Sequence, residues 1–141
     1  GPPGSGKSLF GLRFLVEGAR RGEAGLYVGF AELPGEIEEK ADNVGFGLSR
    51  EVAAGRITLL WQSPGELLLD KLGALILATA REHGVRRVFL DGLEGLRNSA
   101  VYPERFVYVL GALLHNLRAL GATTLFSAEI STIAGPQVNV P

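Results

Sequence analysis

The first eight residues constrain the fold of this chain more than any other feature of the sequence. They read GPPGSGKS and match the pattern G-x-x-x-x-G-K-[ST] in full. Glycines at these positions let the backbone curl so that successive N–H groups point at one phosphate group. A helix that begins near Lys7 would add the positive end of its dipole to the same place. The motif therefore predicts a phosphate-binding loop at the start of a helix.

Each position of this loop predicts a contact with a nucleotide. Lys7 is expected to reach the β- and γ-phosphates as a point charge, which also makes it a candidate catalytic residue, and the hydroxyl of Ser8 is expected to ligate Mg²⁺. The residues that we predict to bind the nucleotide are Gly1, Pro2, Pro3, Gly4, Ser5, Gly6, Lys7, Ser8 and Leu9.

Helical and strand patterns alternate along the rest of the chain. The predicted elements are a helix at 7–21 with a wide apolar face that includes Phe10, a strand at 26–30, a helix from Pro34, a strand Ile57–Trp61, a helix at 66–83, a strand Arg87–Asp91, a loop at 92–103, a helix at 106–120 and a strand Thr123–Ser127. Strands that alternate with helices of this length predict an α/β fold with a parallel sheet and right-handed crossovers.

Asp91 is the candidate second metal carboxylate. It ends the apolar strand VFLD, and ligands of open α/β folds bind where the strands have their carboxyl ends. A carboxylate there orients Mg²⁺ against the hydroxyl of the phosphate loop, usually through water. The alternative is an aspartate that only starts the turn into Gly92. Many P-loop hydrolases carry a catalytic glutamate directly after this aspartate, so Gly92 leaves that position empty.

Glu32 is the candidate general base because it stands just past the strand LYVGF. If that strand lies beside VFLD, Glu32 and Asp91 project from adjacent carboxyl ends, where a carboxylate can activate the water that attacks the γ-phosphate. The alternative is an ordinary loop glutamate before Pro34. Glu94, in the loop predicted after Asp91, is the second candidate.

Several segments resemble the KaiC family of RecA-like ATPases. The opening GPPGSGKSLFGLRFLVEGARRGEAGLYVGFAELPGEI is similar to the start of such a domain, and RRVFLDGLEGL and LRALGATTLFSAE are similar to its Walker B strand and the strand that follows. The phosphate loop is common to many families, whereas F-x-E-x-P and G-x-T-T-x-x-x-x-E are more specific. The resemblance extends from Gly1 to about Gln137. It implies a RecA-like P-loop fold with strand order 3-2-4-5-1, in which the strand before the phosphate loop is the first.

The resemblance also assigns roles to individual residues. It makes Asp91 the Walker B acid and Glu32 the catalytic glutamate. The family often has two adjacent glutamates at this point, and here the first is Ala31, which puts the rate of hydrolysis in question. Ser127 and Glu129 match the end of a strand where a γ-phosphate sensor can lie; the alternative is that they only satisfy the strand end.

Composition narrows the class of protein. The chain has 141 residues, a net charge of −1 and no cysteine, which argues against a nucleic-acid or anionic-membrane surface and excludes disulfides and zinc–thiolate sites. Its two most apolar stretches are too short or too charged to span a bilayer. We expect a cytoplasmic protein, and a single domain at 1–141 that is an excerpt of a longer chain, since no strand precedes the loop.

Other conspicuous side chains are interpreted as structural. Trp61 is expected in the core and not as an adenine platform. His83 and His115 lack partners at metal-ligand spacing. Arg97 and Arg105 flank the predicted loop after Asp91, where related folds can meet DNA or a neighbouring subunit, but they lack the interleaved aromatics of a nucleic-acid surface.

The leading functional expectation is Mg²⁺-dependent ATP hydrolysis by an oligomer, a hexameric ring or another assembly, with nucleotide at subunit interfaces. The preference for ATP over GTP is what the resemblance implies. The alternatives are an ATP-gated signalling scaffold that hardly hydrolyses, a recombinase- or helicase-type ATPase that binds nucleic acid, and a small-molecule kinase. Ala31 favours the first alternative, and the net charge of −1 argues against the second.

Overall fold

A four-stranded parallel sheet lies at the centre of the structure, a computed structural model that describes residues 5–63, 69–99 and 102–127. Its spatial order is β2-β1-β3-β4, which confirms the predicted order for these strands. The strands are β1 (Gly25–Gly29), β2 (Ile57–Trp61), β3 (Arg87–Asp91) and β4 (Thr123–Ser127). The last three have the bounds that the sequence predicts, whereas β1 begins and ends one residue before its predicted bounds of 26–30.

Six helices accompany these strands in the described part of the chain; the first precedes β1 and the other five connect the strands. They are α1 (Ser5–Arg20), α2 (Pro34–Asn43), α3 (Leu48–Ala53), α4 (Leu69–Glu82), α5 (Leu93–Ser99) and α6 (Pro103–Ala119). Pro34 and Pro103 each lie in the first turn of a helix, where a missing N–H costs no hydrogen bond. The predicted start of the fourth helix, at residue 66, lies outside the described residues.

The prediction of a loop at 92–103 is wrong, because α5 occupies most of it. Gly92 has a φ of 82°, so the chain turns sharply after β3 and re-enters a helix one residue later. Leu93 and Leu96 then share one face of that helix and are both buried. Helix α3 is a further element that the sequence pattern does not predict, since it is only six residues long.

The sheet separates two apolar cores, because successive side chains of a strand point to opposite faces. On the face covered by α1, α2 and α3, the α1 face, Tyr27, Ile57 and Phe89 pack with the helix residues. The residues of α1 to α3 buried there are Leu12, Leu15, Val16, Ala19, Ile37, Ala41 and Leu48. The opposite core lies under α4, α5 and α6 and is built on Leu26, Val28, Val88 and Leu90.

Gly11 lets α1 lie close to the sheet. A Cβ atom at this position would overlap the Phe89 ring, so any larger residue would have to push the helix or the ring away. Because Gly11 lies in the second turn of α1, this close packing also holds the start of that helix against the sheet.

Two predicted core residues are instead exposed. Phe10 is 69% exposed, since its neighbour Gly11 is the residue that faces the sheet. Trp61 is 40% exposed, so its interpretation as a core residue is wrong. It ends β2, a strand whose residues become more exposed from Ile57 to Trp61. None of the helices in the described ranges is both long and apolar enough to cross a bilayer.

Candidate functional site

The start of α1 meets the end of β3 through a hydrogen bond. The Ser8 hydroxyl donates to Oδ2 of Asp91 over 2.9 Å, across 83 residues of sequence. Ser8 is almost fully buried, whereas Asp91 is partly exposed at the carboxyl end of its strand. The structure therefore brings together the two residues that the sequence predicts as metal-site residues.

Two more hydroxyl groups hold the same carboxylate. Tyr27 donates to Oδ2 of Asp91 over 2.9 Å, and Ser127 donates to Oδ1 over 2.6 Å. The backbone N–H of Gly92 donates to the Ser127 hydroxyl oxygen over 3.2 Å. These contacts are possible because the ends of β1, β3 and β4 are in register, with Gly29 opposite Asp91 and Asp91 opposite Ser127. Both carboxylate oxygens of Asp91 are thus held by neutral donors.

The side chain of Tyr27 extends along β1 towards the carboxyl end of that strand, where its hydroxyl meets Asp91 of β3. Its ring is buried on the α1 face and packs edge-on against Phe89, with 5.8 Å between ring centroids. A Cβ atom at Gly29, two residues further along β1, would lie 2.5 Å from the Tyr27 hydroxyl. Burial raises the pKa of Tyr27 far above its usual value, and the charge of Asp91, its hydrogen bond and the charge of Glu32 raise it further. Tyr27 is therefore a protonated donor at neutral pH.

Glu32 lies three residues beyond β1 and is paired with a cation. Nζ of Lys40, on α2, donates to Oε1 of Glu32 over 2.8 Å, and each side chain is 29% exposed. The charge of Glu32 also raises the pKa of Tyr27, although less than the charge of Asp91 does. The candidate base therefore lies on the expected side of the sheet, but its charge is balanced by Lys40.

The structure places the other predicted residues less closely. Lys7 is exposed in the first turn of α1, and no hydrogen bond or ion pair joins it to Asp91 or Glu32 in the described part of the chain. Leu9 is half-buried in α1 and Glu94 half-buried in the first turn of α5. Gly6 is exposed within α1, and Ser5 begins that helix. The predicted ligands Gly1, Pro2, Pro3 and Gly4, and the predicted sensor Glu129, lie outside the described residues.

The residues interpreted as structural are also visible. His83 and His115 are both exposed, in keeping with surface roles. Arg105 pairs with Asp70 across α6 and α4, and Arg97 lies exposed on α5.

The donor set fits Mg²⁺ bound together with phosphate oxygens. A serine hydroxyl and a carboxylate are hard oxygen donors, which Mg²⁺ prefers. Within residues 5–63, 69–99 and 102–127, no group of three or more His, Cys, Asp or Glu could hold a metal ion. Ser8 and Asp91 together would suit Mg²⁺, which is usually bound through one or two protein ligands, water and substrate phosphates.

Two residues of the site, Tyr27 and Lys40, are not predicted from the sequence. Tyr27 sits in an apolar strand that predicts only a buried run, so the sequence pattern gives no signal for the contact of its hydroxyl with Asp91. Lys40 follows Glu32 by eight residues, and only the fold of α2 back towards β1 brings the two together.

Comparisons with known proteins identify the family of the chain. The chain matches the family described as "ATPase: KaiC" over residues 1–139. It is 30% identical to the circadian clock protein KaiC3 of Synechocystis sp. over 92% of this chain and 27% of that protein. It is also 30% identical to the circadian clock oscillator protein KaiC of Synechococcus elongatus, over 96% of this chain and 28% of the relative.

A third relative is the UPF0273 protein PAE3143 of Pyrobaculum aerophilum, 24% identical over 93% of this chain and 51% of that protein. The chain spans about a quarter of the length of the clock proteins and about half of the Pyrobaculum protein. Because the family match covers nearly the whole chain and the sheet has the expected parallel order, the chain belongs to the KaiC family of ATPases and has the fold of a RecA-like P-loop domain.

Proposed function

We propose that this chain binds ATP with Mg²⁺ and hydrolyses the bond between the β- and γ-phosphates. The observation that carries the proposal is the hydrogen bond from Ser8 to Asp91, which joins the end of the phosphate loop to the Walker B strand. In P-loop ATPases these two positions serve one metal ion from opposite sides.

Gly1 to Ser8 hold the phosphates in this proposal. The loop N–H groups and the N-terminal end of α1 attract the anion, and Lys7, which is exposed, is available to contact the β- and γ-phosphates. The described residues of the loop leave this lysine without a competing ion pair to Asp91 or Glu32.

Ser8 and Asp91 would hold the metal ion. Bound Mg²⁺ would neutralise charge on the phosphate oxygens during transfer. Ser8 could offer a lone pair to the ion while its O–H still donates to Asp91, because the hydroxyl donates through hydrogen and ligates through oxygen. Asp91 would then accept from a water of the ion, as Walker B acids usually do.

Glu32 is the proposed general base. It would orient the attacking water and take its proton as the new bond to the γ-phosphorus forms and the bond to the β,γ-bridging oxygen breaks. In the structure Lys40 holds one carboxylate oxygen of Glu32, so the water must use the other oxygen or the ion pair must open.

We further propose that the protein acts as an oligomer with nucleotide between subunits. Lys7 is exposed and Glu32 partly exposed, so both side chains would be accessible to a nucleotide that lies against a neighbouring subunit. Size measurement by native mass spectrometry, with and without ATP, tests this: a monomer under both conditions would contradict it.

The decisive experiment compares the full-length wild type with Glu32→Gln. We expect Mg²⁺-dependent phosphate release by the wild type, and a variant that binds ATP equally well but turns over about 100-fold or more slowly, since a general base and water orientation contribute on that scale. A wild type that does not bind ATP would overturn the whole proposal.

A second candidate is an ATP-gated switch that hardly hydrolyses. The ion pair between Glu32 and Lys40 favours it, because the carboxylate oxygen that Lys40 holds is not available to orient a water, and Ala31 removes a second carboxylate. In that case both proteins of the experiment above bind ATP and neither releases phosphate.

A further inference from the structure

We propose that Tyr27 and Gly29 form a positioning pair that sets the orientation of Asp91 and, through it, the affinity of the nucleotide site for divalent cations. This inference rests on the proposed nucleotide site. Tyr27 is a positioning residue in it, because its hydroxyl donates to Asp91 and would act on the cation through that carboxylate.

The acceptor capacity of Asp91 supports this role. A carboxylate has roughly four lone-pair positions, two on each oxygen. Oδ2 accepts from Ser8 and from Tyr27, and Oδ1 accepts from Ser127. Within the ranges that the structure describes, one position on Oδ1 is left. Tyr27 thus completes Oδ2, so that a cation-bound water would be accepted by Oδ1.

Tyr27 and Ser127 also hold the plane of the carboxylate without cancelling its charge. Tyr27, on β1, donates to Oδ2, and Ser127, on β4, donates to Oδ1, so the two hydroxyls come from the strands on either side of β3. A carboxylate pinned at both oxygens cannot rotate freely about its Cβ–Cγ bond. Groups that orient a metal-site carboxylate in this way change metal affinity typically by 10- to 100-fold when they are removed.

Gly29 provides the room that Tyr27 needs. Its absent side chain would overlap the hydroxyl at 2.5 Å and would also lie 2.6 Å from a ring carbon of Tyr27. Gly29 is directly opposite Asp91 in the register of β1 and β3, so the space above it leads straight to the carboxylate. The tyrosine and the glycine are therefore interdependent: either change alone removes the same hydrogen bond.

A purely structural role of Tyr27 predicts a different behaviour. If the hydroxyl bonds to Asp91 only to satisfy itself in the core, its removal lowers stability but leaves cation binding unchanged. A positioning role instead lowers cation affinity while nucleotide binding without a cation stays the same. The two roles are separated by measuring nucleotide affinity with and without Mg²⁺.

The test uses the full-length protein, a non-hydrolysable ATP analogue and a titration of Mg²⁺ against EDTA. Tyr27→Phe keeps the ring packed on Phe89. In this variant we expect the gain in analogue affinity that Mg²⁺ provides to be about tenfold smaller, and the analogue affinity in EDTA to be unchanged. Tyr108→Phe is the matched control, because Tyr108 lies exposed on α6. Equal Mg²⁺ dependence in Tyr27→Phe and wild type overturns the inference, as does an equal loss with and without Mg²⁺.

Gly29→Ala supplies an independent variant, and the double variant closes the cycle. We expect Gly29→Ala to weaken Mg²⁺ dependence about as much as Tyr27→Phe, and the double variant to lose little more, because both remove one interaction. Fully additive losses in the double variant would overturn the pairing. A wild type that binds the analogue without any gain from Mg²⁺ contradicts the proposed function itself.

Discussion

Asp91 and Glu32 both lie where strands of the sheet end, yet their hydrogen-bond partners differ in charge. Asp91 is held by the neutral hydroxyls of Ser8, Tyr27 and Ser127, whereas Glu32 is held by the ammonium group of Lys40. Neutral donors fix the direction of a carboxylate and leave its negative charge available to a cation. An ammonium partner balances the charge and can be exchanged, because both side chains of the ion pair are partly exposed.

The difference teaches how one edge of a sheet can prepare two carboxylates for two tasks. A group that attracts a cation benefits from an intact charge and a fixed plane. A carboxylate that takes a proton in one step of a catalytic cycle needs to be free of its ion-pair partner only in that step. Four substitutions test this contrast, in order of decreasing expected effect.

Asp91→Asn should have the largest effect. The amide keeps the shape of the side chain but removes the charge that the hydroxyls leave intact, so we expect roughly a 100-fold loss of Mg²⁺-dependent ATP affinity. Isothermal titration with the analogue in Mg²⁺ and in EDTA measures it, with the EDTA value unchanged. If the Asp91→Asn variant retained the full Mg²⁺ effect, the charge of Asp91 would be irrelevant.

Gly11→Ala should weaken the hydrogen bond from Ser8 to Asp91 indirectly, by displacing α1. The new Cβ would overlap the Phe89 ring, so α1 or the ring must move, at a cost of about 1–3 kcal/mol in unfolding free energy. Ser8, three residues earlier on α1, would shift from Asp91 as well. Gly111→Ala is the control: nothing lies within 4 Å of a Cβ there.

Urea unfolding measures both glycine variants. Gly111→Ala should be neutral or stabilise the protein by about 0.5–1 kcal/mol, because alanine favours a helix interior. A Gly11→Ala protein as stable as the wild type would show that α1 is not tightly packed on the sheet.

Lys40→Met tests the exchangeable partner of Glu32. Since a partly exposed ion pair is worth at most about 1 kcal/mol, its removal should raise ATP turnover by no more than about fivefold, with ATP affinity unchanged. Lys71→Met, at an exposed lysine of α4, is the control. Slower turnover in Lys40→Met would mean that Lys40 positions Glu32 for catalysis and does not restrain it.

Glu51→Gln should have the smallest effect, on the free energy of unfolding. Glu51 has a charged partner, Arg56, but no role in the proposed reaction. The hydrogen bond from Arg56, and its charge, lower the pKa of Glu51. A lowered pKa stabilises the fold above the unfolded value of about 4.3, and this stability is lost as the pH falls through the folded pKa.

We therefore expect the variant to be less stable than the wild type by about 0.5 kcal/mol at pH 7, and by less than this below pH of about 4. Urea unfolding at the two pH values measures the difference. A gap that widens in acid would contradict the assigned cause.

Much of the scaffold could be predicted from the sequence, because its strands are continuous apolar runs with polar or glycine boundaries. Arg87–Asp91 and Thr123–Ser127 are examples whose limits agree with the prediction. The helix α5 could not be recognised, since it is short and contains Gly95, and it is stabilised by burial of Leu93 and Leu96 under the sheet.

The candidate site could be predicted in part. Motif and strand position were sufficient to bring Ser8 and Asp91 together, because both follow from local sequence patterns. Tyr27 could not be recognised, since an aromatic residue in a buried strand predicts a core contact, and here the ring does lie in the core. Its second role depends on the space above Gly29, which exists only in three dimensions.

Ser127 carries a single hydroxyl proton between two neighbours, and its direction is decided by the backbone. The Gly92 N–H occupies a lone pair of that oxygen, so the proton is left for Asp91. Hydrogen exchange of the Gly92 amide therefore reports on the position of the Asp91 carboxylate. Any ligand that draws Asp91 away from Ser127 should alter the isotope exchange of this one amide, which makes occupancy of the site visible from the protein backbone.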